Sequence, residues 1–494
     1  MMKKYRRITV ACLNAALLLA GSVSAQKKGS TSGPSSSESP YVVRSIAGIV
    51  TKSILTVGDS VNLKPDGVTP YRMVGIPDGL GAFDNGDGTF TVLMNHELGG
   101  TSGIVRAHGA GGAFVSRWII RKDDLTVLHG EDLIRQVALW NTATDSYNAP
   151  AMGVSFSRFC SADLALKPAF YNAATGLGYD DYIFMNGEEN GATGRAFAHL
   201  LNGTSYELPR LGKFSWENSV PNPSAGNKTV VAGTDDSTPG QVYIYVGEKT
   251  DSGSAIDKAG LTNGNLYGVK VTGITTESRE LGIPSGTPFS LYNLGNVADK
   301  TGMQIQGESV MGGVTEFLRP EDGAWDPNNP NDFYFVTTDR FDTVKAGTGS
   351  TIARSRLYRL RFNDIMNPTL GGMIDTLLDG TEDQQMMDNI TVGNRGQILI
   401  QEDVGNNAHL GKIWRYSIEN DTLNPLAEHD PNRFLSGSSN FVTQDEEASG
   451  IIDVSSILGD GWFLLVVQAH HNLGDSELVE GGQLLALHYP PGKK

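Results

Sequence analysis

One composite sequence unit recurs six times along the chain, and it constrains the fold more than any other feature. Each copy has a polar or acidic loop, a short apolar run that ends at Asp, Glu or His, and a second run with aromatic and basic residues. The copies begin near positions 76, 159, 214, 319, 387 and 445. Internal repeats of this kind predict one supersecondary unit per copy.

The local pattern between turns is typical of strands. Runs of Val, Ile, Phe, Tyr, Leu and Thr are short, and 60 Gly and 21 Pro residues separate them. Helical periodicity is absent beyond a few turns. The sequence therefore predicts an all-β protein, a six-bladed β-propeller with long inter-strand loops, as a single domain over residues 43–494. A pair of β-sandwiches is the alternative, but a sandwich does not require acidic residues at the same strand ends in six copies.

The first residues have the pattern of an export signal. A basic start is followed by an apolar run over residues 8–20 and by small residues at 23–25, which predicts a signal peptide over residues 1–25. Residues 26–42 are rich in Ser and Gly and are predicted to be a disordered linker. We expect an exported protein without a membrane span, in the periplasm, at the cell surface or outside the cell.

The charge of the chain bears on its partners. It has 55 acidic and 39 basic residues and a formal net charge of −16. Nucleic-acid binding needs a basic surface, so the charge argues against it. A cation-binding protein fits the charge better, and we expect a monomer that acts on a small molecule.

In a propeller the innermost strands line one channel, so equivalent positions of the six copies converge there. Polar residues in the loop before each inner strand are Asp78, Cys160, Glu217, Glu321 with Asp322, Asp388, and Glu446 with Glu447. Residues at the end of the next strand are His96 with Glu97, Glu188 with Glu189, Asp235 with Asp236, Asp339, Glu402 with Asp403, and His470 with His471. Neighbours in a strand point to opposite faces, so one acid of each doublet is expected to face the channel.

So many carboxylates in one ring repel one another, and bound cations resolve that repulsion. Oxygen ligands suit Ca²⁺. The thiol of Cys160, at a position where other copies have acids, suits a softer ion such as iron. Each acid taken singly is also a common turn residue. Arg319 lies next to Pro320 and Glu321. It either forms a surface ion pair or binds phosphate oxygens through its planar guanidinium group.

Several segments resemble the PhoX-type alkaline phosphatases, a bacterial β-propeller family once known only as a domain of unknown function. They are LMNHE (93–97), FCSADLA (159–165), NGEEN (186–190), LGKFSWEN (211–218), LRPEDGAWDP (318–327) and DNITVGNRGQILIQED (388–403). The resemblance implies a six-bladed propeller that hydrolyses phosphomonoesters at a cluster of iron and calcium ions. It also implies an exported enzyme with small phosphate esters as substrates.

The resemblance also implies roles for particular residues. Arg319 would contact phosphate. The metal ligands would be drawn from Glu97, Cys160, Glu188, Glu189, Glu217, Asp235, Asp236, Glu321, Asp388, Glu402 and Asp403. Trp216 stands where many members have His before the Glu, so the chain fits a divergent branch. Two other functions remain open from the sequence: a calcium-stabilised binding propeller without turnover, and a calcium-only, phytase-like or lactone-hydrolysing propeller.

The signal peptide is testable on the exported protein. Cleavage after Ala25 gives a mature chain that begins at Gln26. Intact-mass measurement of the protein from the periplasm or the medium should find that N-terminus. Recovery of the protein only in the cytoplasm with residues 1–25 attached would contradict the prediction.

Overall fold

Most strands are buried on both faces, which explains their nearly continuous apolar runs. The run Trp462–Asn472 (WFLLVVQAHHN) is buried over its central residues. A strand that lies between two neighbouring sheets has no solvated face, so the alternation of polar and apolar residues is lost. The structure, a computed structural model, describes residues 29–347 and 351–490. Within these ranges strands dominate, which confirms the all-β class.

The strands are numbered in chain order. They are β1 (Ser30–Ser32), β2 (Val42–Arg44), β3 (Val50–Thr56), β4 (Ser60–Leu63), β5 (Pro70–Arg72), β6 (Pro77–Asp84), β7 (Thr89–His96), β8 (Phe114–Arg121), β9 (Val127–Asp132), β10 (Gln136–Ala138), β11 (Trp140–Asn141), β12 (Ser146–Tyr147), β13 (Phe159–Asp163), β14 (Tyr171–Asn172), β15 (Leu177–Gly178), β16 (Ile183–Glu188), β17 (Ala196–Leu200), β18 (Thr204–Glu207), β19 (Trp216–Pro221), β20 (Lys228–Asp235), β21 (Val242–Glu248), β22 (Asn265–Val271), β23 (Thr287–Gly295), β24 (Pro320–Trp325), β25 (Asp332–Thr337), β26 (Arg356–Phe362), β27 (Gly372–Leu378), β28 (Met387–Gly393), β29 (Gln397–Glu402), β30 (Lys412–Ser417), β31 (Thr422–His429), β32 (Glu446–Asp453), β33 (Trp462–Asn472) and β34 (Glu480–His488).

Helices are short and lie in the connections between strands. The α-helical segments within the described ranges are Ala255–Lys258, Gly302–Gly312, Pro431–Phe434 and Ser455–Leu458. Single 3₁₀ turns are Lys167–Ala169, Gly191–Thr193, Pro209–Leu211 and Pro368–Leu370. The Gly302–Gly312 helix begins with a capping box between Thr301 and Gln304.

The sheets are antiparallel meanders of neighbouring strands. One has the order β6-β7-β8-β9, and the others are β10-β18-β17-β16-β13, β2-β31-β30-β29-β28 and β1-β3-β34-β33-β32. A nine-stranded sheet runs β19-β20-β21-β22-β23-β27-β26-β25-β24 and contains two meanders that join where β23 pairs with β27. The edge strands β6, β13, β19, β24, β28 and β32 contact one another in that order, and β32 contacts β6. The sheets therefore form a closed ring, which differs from a pair of stacked sandwiches.

The ring is closed by strands from both ends of the described chain. Strand β3 pairs with β34 from Val50 opposite His488 to Thr56 opposite Gln483. Strand β2 likewise adds to β31, with Val42 opposite His429. Because each late sheet is completed by an early strand, no open edge is left between the first and last units. Apolar clusters fill the space between neighbouring sheets, such as the one that joins Trp118 of β8 to Leu484 of β34.

The segment predicted as a disordered linker is ordered where the structure describes it. Ser30–Ser32 forms β1 and pairs in parallel with β3. The small residue Gly33 lies against the carbonyl of Ser53. Hydroxyl groups also hold the segment, since Ser36 bonds to Thr56 over 3.0 Å. The Ser and Gly composition that suggested disorder instead lets a strand lie close to the sheet; residues 26–28 and the signal peptide lie outside the described residues.

A buried ion pair supports the loop before β24. Arg356 and Glu277 are fully buried, and Arg356 Nη1 donates to Glu277 Oε1 over 2.8 Å. The Tyr358 hydroxyl donates to the same oxygen over 2.7 Å. The other oxygen of Glu277 accepts from the backbone N–H of Leu318 over 2.9 Å, directly before Arg319. Glu277 thus connects β26 to the backbone directly before β24, the inner strand of the same meander.

Replacement of Glu277 by Ala leaves the Arg356 charge buried without a partner. We expect the free energy of unfolding to fall by roughly 3–5 kcal/mol. Urea unfolding followed by tryptophan fluorescence measures the change. The control is the exposed Glu419→Ala, which should change stability by less than about 0.5 kcal/mol. Equal stability of the two variants would contradict a supporting role for Glu277.

Candidate metal centre

The same position of each inner strand supplies a side chain to the centre of the ring. The second residue of β6, β13, β19, β24, β28 and β32 is, in turn, Asp78, Cys160, Glu217, Glu321, Asp388 and Glu447. All six side chains are buried. Asp78 and Glu447 belong to the aligned positions although the predicted ligand set leaves them out.

A backbone irregularity turns these side chains toward the centre. In β6, β13, β19, β24 and β28 the pairing register shifts between the first and fourth residues, on either side of the polar side chain. Such a bulge bends a strand locally and redirects its side chains. The residue before the strand has a left-handed backbone in four copies, with φ of 51° at Ile76, 49° at Arg158, 58° at Arg319 and 45° at Met386. Non-glycine residues in this region are strained and cluster at functional sites.

The register of each second strand decides between the members of the acid doublets. The residue opposite the first inner-strand residue is Glu188 in the β13–β16 pair and Glu402 in the β28–β29 pair. The following residue points into the central cavity. In the copies other than the fourth, the cavity-lining residues at this position are Glu97, Glu189, Asp236, Asp403 and His470. The fourth copy has Thr338, whose hydroxyl donates to the carbonyl of Met387.

The first members of the doublets bond within their own sheets. Glu188 accepts from Arg195 Nε over 2.6 Å. Asp235 accepts from the backbone of Ser215 and the hydroxyl of Ser237 over 3.1 and 3.0 Å. Glu402 accepts from Trp414 Nε1 and from His409 Nε2, each over 2.8 Å. The structure therefore places these three predicted ligands outside the cavity lining.

Four sets of donor atoms converge in the cavity and share members. They are Asp78 with Glu97 and Cys160, Cys160 with Glu189 and Glu217, Glu217 with Glu321 and Asp388, and Asp388 with Asp403 and Glu447. In each set one ligand atom per residue lies within 4.8 Å of the others. That spacing fits an ion held at about 2.4 Å from each ligand. Cys160, Glu217 and Asp388 each belong to two sets, so the sets form a continuous chain of possible ion positions.

The carboxylates raise each other's proton affinity. Burial, followed by repulsion from Glu97, raises the pKa of Glu189 to about 8. Burial and then Glu447 raise the pKa of Asp403 to about 8. Burial and the Asp78 carboxylate also raise the pKa of the Cys160 thiol well above its ordinary value. A centre of this composition can be ionised near neutral pH only with added positive charge, which a metal ion provides.

Two arginines and a histidine supply the cationic side chains of the cavity lining. Arg319 donates to both carboxylate oxygens of Asp236, from Nε and from Nη2, each over 2.8 Å. Its Nη2 also lies 3.0 Å from Glu321 Oε1. Arg158 contacts Glu97 Oε1 over 2.8 Å and also pairs with Glu189. His470 lies between Glu447 and Glu480. These groups face a cavity of about 620 Å³.

Arg158 is the cavity residue that the sequence patterns did not single out. It has the same place in its copy as Arg319, two residues before the inner ligand, and the same left-handed backbone. The equivalence of Arg158 and Arg319 appears when the copies are aligned at the second residue of each inner strand, and not at the acidic residues alone. Its signal was weak because the other copies have Ile76, Ser215, Met386 and Asp445 at this position.

A layer of uncharged polar side chains lies among the inner ligands. The Gln468 amide donates to Asp78, Glu97 and Glu447 over 3.2, 3.1 and 3.2 Å. The Ser161 hydroxyl donates to Glu217 Oε1 over 2.5 Å and accepts from the Asn389 amide over 2.6 Å. Donors of this kind fix the orientation of carboxylates whose other oxygen binds a metal.

Trp216, which departs from the pattern of the resembled family, leaves the neighbouring Glu217 in place. Trp216 is fully buried and stacks on Phe214 with ring centroids 4.0 Å apart. Gly187 and Gly233 make room for its ring, because a Cβ atom on either glycine would lie within 2.6 Å of it. Glu217 still enters two of the donor sets. The tryptophan therefore packs in the core at this position, and no ligand position is lost.

A comparison with protein families decides the relationship. The family model "Alkaline phosphatase PhoX" matches residues 198–446, half of the chain. The chain belongs to this family. Membership makes it a phosphoric monoester hydrolase, a class of enzyme whose substrates are small phosphate esters. A search of curated proteins finds no match.

A solved PhoX structure shares the fold of this chain. The structure of Pseudomonas fluorescens PhoX in complex with vanadate, a transition state analogue, covers 90% of this chain and 95% of its own, with a TM-score of 0.64 and 11% identity. At that identity the likeness concerns the fold, which is propeller-like. A putative 6-phosphogluconolactonase from Bacteroides uniformis covers 70% of this chain and 82% of its own, with a TM-score of 0.32 and 12% identity.

The two members of one doublet should behave differently when neutralised. Asp403→Asn removes a charge from the donor set with Asp388 and Glu447, so we expect metal affinity to fall at least about tenfold. Glu402→Gln should keep the metals but lose roughly 1–3 kcal/mol of stability, since its buried hydrogen bonds are disturbed. Elemental analysis after dialysis and urea unfolding measure the two effects. The opposite pattern would assign Glu402, not Asp403, to the metal centre.

Proposed function

We propose that the chain is an exported, metal-dependent phosphomonoesterase whose iron and calcium cluster lies in the channel of a six-bladed β-propeller. The observation that carries the proposal is the chain of four donor sets that share Cys160, Glu217 and Asp388. Apart from Asp78, the members of these sets line one cavity with two arginines. A phosphate ester needs positive charge around its oxygens. The alkaline phosphatase family to which the chain belongs supports the same reaction, the hydrolysis of phosphomonoesters.

The arrangement of the inner strands supports six blades. Six edge strands contact one another in a ring, and the second residue of five of them lines the cavity. The nine-stranded sheet counts as two blades, because its two meanders have separate inner strands, β19 and β24. Propeller blades are four-stranded meanders around a central channel.

We assign the metal ligands from the cavity-facing members of the repeat. Of the predicted set, these are Glu97, Cys160, Glu189, Glu217, Glu321, Asp388 and Asp403, and Asp78 and Glu447 join them. Asp236 lines the cavity beside them and holds Arg319. Glu188, Asp235 and Glu402 take a supporting role, since their oxygens are already hydrogen-bonded within the sheets.

The donor chemistry favours two kinds of ion. Cys160 belongs to the first two sets, and sulfur is a poor ligand for calcium but a good one for iron. The other two sets contain carboxylates alone, which suit calcium. A calcium-only centre would leave the buried Cys160 thiol without a function among the acids. The mixed cluster therefore fits the chain better than a calcium-only hydrolase or a calcium-stabilised binding protein.

The roles of the chain's own residues follow from their charges. When bound, the metal ions would neutralise phosphate oxygens and supply an activated nucleophile near neutral pH. Arg319 would stabilise negative charge on the transferred phosphoryl group through its planar fork. Asp236 holds that guanidinium by both oxygens and fixes its plane. Arg158 would contribute positive charge where it bridges Glu97 and Glu189.

Location and assembly rest on the sequence. The signal pattern of residues 1–25 supports export to the periplasm, the cell surface or the medium. In the part of the chain that the structure describes, no helix has the length and hydropathy to cross a membrane. We propose that the enzyme acts as a monomer.

Two substitutions test the proposal. Cys160→Ser should lose bound iron and most hydrolysis of p-nitrophenyl phosphate. Arg319→Ala should keep the metals and lose roughly 10²–10³-fold in kcat, the usual loss for one donor to the transition state. Elemental analysis, steady-state kinetics and vanadate inhibition of the wild type measure these effects.

The control is Arg121→Ala, which removes an arginine from an ion pair at the exposed end of β8. Its activity should equal that of the wild type. A metal-free wild-type protein without phosphatase activity would overturn the proposal. Calcium-dependent hydrolysis that survives Cys160→Ser would favour the calcium-only enzyme.

A further inference from the structure

One wall of the metal cavity is aromatic. Phe341 lines the cavity and is 40% exposed. The carbon at the centre of the Arg319 guanidinium lies 4.6 Å from the centroid of its ring. Among the lining residues that the structure describes, Phe341 is the one side chain with a phenyl or indole ring. Isolated exposed aromatics on a surface need no explanation, but this ring stacks on the arginine assigned to the phosphate.

The loop that carries Phe341 is fixed at its start. The backbone N–H of Asp339 donates to the carbonyl of Leu318 over 3.0 Å, and Thr338 bonds in the same way to Arg319 over 3.1 Å. The buried Asp339 carboxylate accepts from Arg279 Nε over 2.7 Å. Gly405 also lies against the ring, where a Cβ atom would come within 2.3 Å of Phe341. The ring therefore has a defined place beside Arg319 and the backbone of Gly405.

The remaining walls restrict what else a phosphate ester can contact. Outside the donor sets, Asp236, Asp445 and Glu480 add negative charge to the cavity lining. An anionic leaving group, such as a second phosphate, would be repelled by the carboxylates of the lining, which outnumber its two arginines and its histidine. An uncharged leaving group avoids that repulsion, and a planar one also gains contact with the exposed part of the Phe341 ring.

We propose that Phe341 is a specificity-determining residue, which selects phosphomonoesters with an uncharged planar leaving group of the aryl type. This inference rests on the proposed phosphatase function. An ester whose phosphoryl group lies at Arg319 would have its first leaving-group atoms within reach of the ring that covers that guanidinium. The exposed part of the ring would then contact an aryl group over a larger area than a small aliphatic alcohol offers.

A second role of the ring must be separated from this one. Phe341 also holds Arg319 by a cation–π contact, so its loss could disturb phosphate binding for every substrate. A positioning role alone lowers kcat/KM for aryl and aliphatic esters by the same factor. A specificity role changes the ratio of the two. The intrinsic reactivity of each ester is the same in all variants and cancels when ratios are compared.

The experiment compares phenyl phosphate with glycerol 2-phosphate in the metal-loaded wild type, Phe341→Leu and Phe341→Tyr. We expect Phe341→Leu to lower the phenyl-to-glycerol ratio of kcat/KM by about three- to tenfold, the usual value of one aromatic pair. Phe341→Tyr should keep the wild-type ratio. Competitive inhibition by phenylphosphonate against methylphosphonate gives a binding readout without turnover, and its preference should fall by a similar factor in Phe341→Leu.

Phe83→Leu is the matched control. Phe83 is a partly exposed aromatic in a stacked pair with Tyr182, near the end of β6 that lies away from Asp78. It should leave both the ratio and the inhibitor preference unchanged. An unchanged ratio in an active Phe341→Leu enzyme would overturn the inference and leave the phosphatase function intact. A wild type that hydrolyses neither ester would overturn the proposed function itself, and with it this inference.

Discussion

The repulsion among buried carboxylates at the centre of the ring is the constraint on which the rest of the structure depends. Six inner strands each deliver a ligand-type side chain to the same place, and five of the six are acids. Burial raises the proton affinity of every one of these acids for which a shift is resolved, and the neighbours raise it further. Cations would therefore favour the ionised form of such a centre, and under the proposed function their binding would also stabilise the fold.

Side chains of the protein itself compensate part of the negative charge of these carboxylates. Arg158 and Arg319 each bridge two acidic side chains from one strained backbone position, and Gln468 connects three carboxylates from two copies. Arg319 reaches Glu321 through Oε1 alone, whereas both oxygens of Glu97 are engaged, Oε1 by Arg158 and Oε2 by Gln468. The arginines therefore orient the ligand set and also present positive charge to the cavity, which is what a phosphate ester requires.

The same strand positions explain why a phosphatase tolerates very low sequence identity. The fold is shared with Pseudomonas fluorescens PhoX at 11% identity. In this chain five of the six inner strands combine a ligand-type second residue with a bulge around it, while the residue types beside it vary. Trp216 illustrates this freedom, because two glycines absorb its ring and Glu217 keeps its direction. Differences in substrate choice then reside in the loops at the cavity wall, such as the one that carries Phe341.

The sequence by itself determined the all-β class, the repeat and the cluster of acids with one thiol at Cys160, since these depend on residue types at regular spacing. It did not show which acid of each doublet faces the cavity, because a strand presents alternate residues to opposite faces and the register is set by tertiary pairing. It also missed Arg158, whose role depends on a left-handed backbone and on Glu97 and Glu189 from other strands. Only the closed ring brought those distant residues together.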